Sequence, residues 1–129
     1  MSNGRVLGGR AILVVEDDYL VADDIVAVLR RAGARVAGPV ATGEDALSLI
    51  QEEGSLDLAV LDVKLRREVV YGVAEALEAR GVPFVFATGY DRADLPDRFA
   101  GAPLIEKPFD AGQLVRVLAA LPDAPRPSA

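Results

Sequence analysis

Acidic residues follow two apolar runs of this chain, and their types and spacing suggest metal chemistry. The stretch AILVVEDDYL places Glu16, Asp17 and Asp18 directly after one apolar run, and DLAVLDVKL places Asp62 after another. Two carboxylates ~4 Å apart repel each other by ~4 kcal/mol at an effective dielectric constant near 20, so such a group needs a cation or a raised pKa. Oxygen-only ligand sets suit Mg²⁺. Glu16, Asp17 and Asp62 are therefore predicted to form a magnesium site, whereas Asp18 is expected to cap the helix that follows it.

Asp62 is also a candidate nucleophile. A carboxylate beside a bound Mg²⁺ can attack phosphorus, and the metal offsets charge on the phosphoryl oxygens. The stretches PFVFATGY and APLIEKPFD place Thr88 and Lys107 at the ends of two further apolar runs. Thr88 could donate a hydrogen bond to a phosphoryl oxygen, and Lys107 could pair with Asp62 before phosphorylation and with the phosphate after it. A lone threonine or lysine at such a place is normally surface decoration, but four fitting groups at one edge of a sheet favour a phosphoryl-acceptor site.

The composition excludes several other kinds of chemistry. The chain has 129 residues with no cysteine and no histidine, which excludes disulfides, thiolate and imidazole metal sites, and Ser-His-Asp catalysis. Because the formal net charge is −6, nucleic acid and anionic membranes are not expected as direct partners. No apolar run approaches the ~18 residues of a membrane span, and the first residues lack the apolar centre of a signal peptide, so a cytoplasmic location is predicted.

Strand-like apolar runs alternate with helix-like patterns along the chain. The predicted strands are Ala11–Val15, Arg35–Ala37, Leu56–Leu61, Pro83–Ala87 and Ala102–Ile105. The predicted helices are Tyr19–Ala32, Gly43–Glu53, Gly72–Arg80, Arg92–Phe99 and Asp110–Leu121. Thr42 and Asp110 are candidate N-caps, and Pro96 can only occupy a first helical turn. This alternation predicts βαβ units and a parallel sheet that is covered on both faces.

One α/β domain accounts for the whole pattern. The predicted boundaries are a flexible lead-in over residues 1–9, the domain over residues 10–121 and a disordered Pro-rich tail over residues 122–129, which leaves no residues for a second domain. The predicted architecture is a doubly wound, flavodoxin-like (βα)5 fold with a five-stranded parallel sheet in the order 2-1-3-4-5. Since the first and third strands are neighbours in that order, their acidic residues should converge where ligands bind in such sheets.

These residues carry a resemblance to a known family. The chain resembles the receiver domain of two-component response regulators from about Arg10 to Leu121, and this resemblance supports the strand order as much as the pattern does. The matching motifs are ILVVEDD with Glu16 and Asp17, the phosphoacceptor position Asp62, the switch hydroxyl Thr88, and EKPF with Lys107. Each motif alone is moderately specific, whereas four in order, one at each strand end, are highly specific.

The resemblance implies a ligand set and a function. Mg²⁺ would be held by Asp17, Asp62 and the backbone carbonyl of Lys64, with Glu16 acting through water, and a cis peptide bond would precede Pro108. The chain would take a phosphoryl group from a histidine of a sensor kinase or phosphotransfer protein onto Asp62. It would then signal to a downstream protein by contact or by onward phosphotransfer, and it would not be an enzyme in the usual sense.

One departure from the family pattern points to a subgroup. Receivers usually carry an aromatic switch residue three positions before the lysine, where this chain has Leu104. An aromatic residue occurs instead at Tyr90, and PFVFATGY resembles the signature of the single-domain "FAT GUY" receivers. This resemblance suggests a phosphorelay or stress-signalling role, often with kinases of the HWE or a related class. Tyr90 and the segment Asp91–Ala100 are predicted to provide the readout, although Tyr90 could instead only cover apolar surface.

Two alternative functions share part of this pattern. A Mg²⁺-dependent phosphatase of the haloacid-dehalogenase type also uses an aspartate nucleophile, but that class places it after the first strand with a second aspartate two positions on. Glu16 and Asp18 fit that pattern poorly. The other alternative is a degenerate receiver that acts only as a binding module, against which the presence of Asp62, Thr88 and Lys107 argues.

Overall fold

The computed structural model describes residues 6–65, 68–89 and 95–122. The strands are β1 (Ala11–Val15), β2 (Arg35–Val40), β3 (Leu58–Asp62), β4 (Lys64–Leu65), β5 (Glu68–Val69), β6 (Phe84–Thr88) and β7 (Leu104–Glu106). Five of them form a parallel sheet in the order β2-β1-β3-β6-β7, and β4 and β5 form a separate antiparallel pair. Without that small pair, the order is the predicted 2-1-3-4-5, and the flavodoxin-like α/β fold is confirmed.

In the part of the chain that the structure describes, four α-helices pack on the sheet. They are α1 (Tyr19–Arg31), α2 (Gly43–Glu52), α3 (Tyr71–Ala79) and α4 (Ala111–Ala120). The predicted caps are confirmed, because Thr42 accepts a hydrogen bond from the amide of Asp45 and Asp110 accepts one from the amide of Gln113. Each of these bonds satisfies one of the amide groups that a helix leaves without an internal partner at its start.

The core lies in two layers, one on each face of the sheet. Strands β1, β3 and β6 are buried along their whole length, as expected for central strands of a parallel sheet that is covered on both faces. One apolar cluster joins alternate strand residues to α1 and α4, and it includes Ile25, Leu29, Leu114 and Leu118. The other cluster joins the remaining strand residues to α2 and α3, and it includes Ile50, Leu77, Phe86 and Phe99. These two apolar layers hold the central strands in place, and they thereby position the side chains that follow the carboxyl ends of those strands.

The predicted helix Arg92–Phe99 differs from the structure where the structure describes it. Pro96 is extended, with ψ of 151°, and only Asp97–Phe99 forms a short 3-10 helix. The physical reason is that proline lacks an amide hydrogen and disfavours helical backbone in the residue before it. Residues 90–94, including the first part of this prediction, lie outside the described residues.

Part of the predicted lead-in contacts the core. Leu7 is fully buried, and its amide donates to the carbonyl of Ala32 over 2.9 Å. The remaining lead-in, residues 1–5, and residues 123–129 of the predicted tail lie outside the described residues. Within the described ranges, no helix is long and apolar enough to cross a membrane.

Candidate metal centre

The register of the central strands brings the predicted site residues to one edge of the sheet. Val15 of β1 lies opposite Leu61 of β3, so Glu16 and Asp62 follow at the same level. Asp62 in turn lies opposite Ala87 of β6, directly before Thr88. At the next strand, the amide of Lys107 donates to the carbonyl of Thr88 over 2.8 Å. Groups from four strands therefore meet at the carboxyl edge of the sheet, as predicted.

Three carboxylates converge at this edge. Glu16, Asp17 and Asp62 each offer an oxygen, and these oxygens all lie within 4.8 Å of one another. Glu16 and Asp62 are buried, with 3% and 6% exposure, and Asp17 is half-buried. This donor set consists of carboxylate oxygens alone, so it fits a hard divalent cation such as Mg²⁺.

Lys107 is the cation that the protein itself places in the site. Its Nζ lies 2.7 Å from Oε1 of Glu16 and 3.5 Å from Oδ1 of Asp62. The sequence predicted a pair with Asp62, but the shorter contact is with Glu16. The second carboxylate oxygen of Glu16 accepts a hydrogen bond from the amide of Asp18 over 3.1 Å. Glu16 is therefore held at both oxygens and fixes the lysine within reach of Asp62.

Crowding changes the protonation of this site. The pKa of Asp62 is raised from its ordinary value of 3.8 to about 7. Burial is the largest cause, the charge and hydrogen bonding of Glu16 add to it, and Lys107 and the amide of Lys64 oppose it. Burial lowers the pKa of Lys107, but its hydrogen bond to Glu16 and the charges of both acids outweigh burial, so this pKa lies above its ordinary value. Lys107 therefore stays charged near neutral pH, while Asp62 is only partly ionised there, and added positive charge would favour its ionised form.

Asp18 has a different role from its two neighbours, as predicted. One of its carboxylate oxygens accepts hydrogen bonds from the amides of Leu20 and Val21, over 2.9 and 3.2 Å. It is the N-cap of α1. Consecutive acids in the same motif are thus divided between the acidic cluster and the capping of a helix.

The structure gives the positions of three further predicted residues, but it does not test the roles of two of them. The amide of Lys64 donates to Asp62 over 3.4 Å, and its role as a carbonyl ligand stays a prediction. Thr88 is buried at the end of β6, where its role as a switch also stays a prediction. The peptide bond between Lys107 and Pro108 is cis, as predicted. Tyr90 lies outside the described residues.

An aromatic cluster beside this edge was missed by the sequence analysis. The ring of Tyr71 stacks on Phe99 with centroids 5.5 Å apart and meets Phe86 edge-on at 6.2 Å. Phe86 precedes Thr88 by two residues on β6, and Leu104, at the position where the family usually carries an aromatic residue, packs against the same core. The only sequence signal was the aromatic content of PFVFATGY, because Tyr71 and Phe99 lie far from it in the chain.

The comparisons with known proteins agree with this geometry. The family model of the response regulator receiver domain matches residues 12–119. The transcriptional regulatory protein PdtaR of Mycobacterium tuberculosis is 33% identical over 110 residues, which make up 82% of this chain and 53% of PdtaR. This chain spans about half the length of the curated relatives it matches.

Two solved structures extend the comparison. The solution structure of SdrG from Sphingomonas melonis Fr1 has a TM-score of 0.76 and 40% identity, and the match covers 87% of this chain and 95% of SdrG. The solution structure of the BeF3-activated conformation of SdrG from Pseudomonas melonis Fr1 has a TM-score of 0.71 and 37% identity, with coverage of 83% and 93%.

Proposed function

Since this chain belongs to the response regulator receiver domain family, we propose that it accepts a phosphoryl group from a phosphohistidine of a partner kinase or phosphotransfer protein onto Asp62. Receiver domains are signalling phosphoacceptors and generally not enzymes in the usual sense. The observation that carries the proposal is the placement of Asp62, Glu16 and Lys107, with the lysine 2.7 Å from one acid and 3.5 Å from the other. In that arrangement, Lys107 is close enough to Asp62 to stabilise the negative charge of a phosphoryl group on it.

Asp62 is the nucleophile in this proposal. One of its carboxylate oxygens forms a bond to phosphorus while the bond between phosphorus and the imidazole nitrogen of the donor breaks, and the nitrogen keeps the electron pair. Asp17, Asp62 and the carbonyl of Lys64 would hold Mg²⁺, with Glu16 acting through water. The metal, when bound, supplies positive charge to the phosphoryl oxygens. It also favours the ionised form of Asp62, which is the nucleophilic form.

Lys107 stabilises the product. An ammonium group has three donors, and in this site one of them is directed to Glu16. The distance of 3.5 Å to Asp62 leaves Lys107 close enough to contact a phosphoryl group on that residue. Thr88 donates to another phosphoryl oxygen in this scheme, because it ends the strand that pairs with β3.

The proposed signal to a downstream protein starts at the same edge of the sheet. Phosphorylation would shift a two-state equilibrium in which Thr88 and Tyr90 are the switch residues, and a downstream protein would read the change. SdrG has a BeF3-activated conformation, and the FATGY stretch supports membership of the "FAT GUY" subgroup with kinases of the HWE or a related class. The cytoplasmic location stays a prediction.

Phosphoryl transfer from a small donor tests the proposal without the partner kinase. Phosphoramidate is a suitable donor, because its phosphorus is bonded to nitrogen as in phosphohistidine. With Mg²⁺, we expect intact-protein mass spectrometry to detect one added phosphoryl group on the wild type. The group should also appear on the control Asp57→Asn, and it should be absent from Asp62→Asn and from the wild type with EDTA. A phosphoryl group retained by Asp62→Asn would reject the acceptor assignment, and an unmodified wild type would favour the degenerate binding module.

A further inference from the structure

Strand β2 has an irregular register close to the metal centre. Ala11, Ile12 and Leu13 of β1 pair in sequence with Arg35, Val36 and Ala37, but Val15 pairs with Val40. One additional residue is therefore accommodated at Gly38 and Pro39, which makes this segment a β-bulge. We call Gly38 and Pro39 the β2 bulge. Directly after it, the carbonyl of Val40 accepts a hydrogen bond from the amide of Glu16 over 2.9 Å.

The backbone leaves no room for a side chain at Gly38. Its φ is +97°, in the region that side chains rarely adopt, and a Cβ at this position would lie 2.9 Å from the nitrogen of Val40 and 3.0 Å from the carbonyl oxygen of Val14. Both neighbours are backbone atoms, so a clash cannot be relieved by rotation of a side chain. Either Val40 or Val14 must move if any other residue replaces this glycine.

Both of those neighbours lead directly to Glu16. Val40 carries the carbonyl that binds the Glu16 amide, and Val14 precedes Glu16 by two residues on β1. The side chain of Glu16 in turn holds Lys107 at 2.7 Å. A displacement at Gly38 would therefore move the acid that makes the shorter of the two contacts with the lysine.

From these contacts we infer that Gly38 is a positioning residue of the metal and phosphoryl-acceptor site, acting through the backbone of Val40 and Val14 on Glu16. The inference rests on the proposed function, because it assigns a role within that site. It also explains why a bulge, a feature often found beside functional sites, occurs in the edge strand next to β1.

The chain offers a matched control for this inference. Gly81 also has a positive φ, +70°, and it follows the end of α3, where its amide donates to the carbonyl of Glu78. It precedes β6, so it lies at the end of that strand away from the site. The substitutions Gly38→Ala and Gly81→Ala therefore both introduce a methyl group at a positive φ, and at Gly38 that group would lie against Val40 and Val14, which lead to Glu16.

The experiment compares amide hydrogen exchange, Mg²⁺ affinity and melting temperature. We expect both variants to lower the melting temperature by about 5 °C. Only Gly38→Ala should accelerate exchange of the Glu16 amide in the metal-free protein, by about tenfold beyond the change in Gly81→Ala. It should also weaken Mg²⁺ binding, measured by calorimetry, by about fivefold.

Gly38→Asn serves as a second variant if Gly38→Ala does not fold. Asparagine tolerates positive φ better than alanine does, so the steric contact with Val40 and Val14 remains while the backbone strain is reduced. We expect the same changes at Glu16 with a smaller loss of melting temperature. The inference is overturned if Glu16 exchange and Mg²⁺ affinity in the Gly38 variants equal those of Gly81→Ala. A wild type that does not bind Mg²⁺ would instead reject the proposed metal site, and Glu16 exchange would still decide the role of Gly38.

Discussion

The segment SLDLAVLDV carries an aspartate at each end of β3, and the two residues have opposite surroundings. Asp57 accepts a hydrogen bond from the amide of Ala11 over 2.8 Å, and its own amide donates to the carbonyl of Ala11 over 2.8 Å. Asp62 instead lies beside the carboxylates of Glu16 and Asp17. The same residue type is thus joined to a backbone donor at one end of the strand and to like charges at the other.

This difference separates a carboxylate that supports the fold from one that we propose to accept a phosphoryl group. The carboxylate of Asp57 is stabilised locally by the hydrogen bond that it accepts from a backbone amide. At the other end, three carboxylates converge and Lys107 pairs with two of them, so among these four described groups two negative charges remain when all are ionised. A divalent cation balances that excess, and burial makes the imbalance costly without one.

The largest expected effect that distinguishes the two aspartates is on Mg²⁺ affinity. Asp62→Asn should weaken Mg²⁺ binding by about a hundredfold, because it removes a charged ligand, and loss of an outer-shell partner alone typically costs ~10- to 100-fold. The matched variant Asp57→Asn should bind Mg²⁺ as the wild type does. Isothermal titration calorimetry at one pH and ionic strength measures both. Equal affinities for the two variants would remove the basis for assigning a metal site to Asp62.

The second expected effect is on the free energy of unfolding, and here substitution of Asp57 should have the larger effect. Asp57→Ala should lower the free energy of unfolding by about 2 kcal/mol, because the buried amide of Ala11 loses a charged acceptor. Asp62→Asn should leave the stability of the metal-free protein unchanged or raise it, because the repulsion with Glu16 is relieved. Urea unfolding followed by circular dichroism measures both variants. If Asp62→Asn proved the more destabilising of the two, Asp62 would have to be regarded as part of the structural framework.

Much of this contrast was predictable from local sequence. An acid that follows a buried apolar run marks the end of a strand, and parallel strands bring such ends together, so Glu16, Asp17 and Asp62 could be grouped from sequence alone. The capping role of Asp18 was also predictable, because it depends only on the residues that follow it. Local patterns of this kind carry over into the structure when no competing long-range contact interferes.

Other features depend on geometry that local patterns do not contain. The preference of Lys107 for Glu16 over Asp62 is decided by distances between residues 91 positions apart. The continuation of β2 through Pro39 was missed because proline normally ends a strand, yet β2 is an edge strand, where proline is tolerated. The pair β4 and β5 has only two residues in each strand, which is too short for an alternating pattern to be recognised.

The next effect is the pH dependence of Mg²⁺ binding. Because Asp62 has a pKa of about 7 in the metal-free protein, a proton competes with Mg²⁺ below that pH. The apparent Mg²⁺ affinity of the wild type should therefore rise by about tenfold between pH 5 and pH 6 and level off above pH 7. Calorimetric titrations across this range measure the dependence, and Asp57→Asn should follow the same curve.

Protonation of Asp62 also determines whether the free energy of unfolding of the metal-free protein rises or falls with pH. Folding raises the pKa of Asp62 from 3.8 to about 7, so the folded state binds the proton more tightly than the unfolded state does. The stabilisation from that proton is complete below pH 3.8 and is lost as the pH rises to about 7. The free energy of unfolding of the wild type should therefore fall across this range relative to Asp62→Asn, which lacks the titrating group. Parallel curves for the two proteins would show that folding does not raise the pKa of Asp62 and that the crowding by Glu16 does not affect its ionisation.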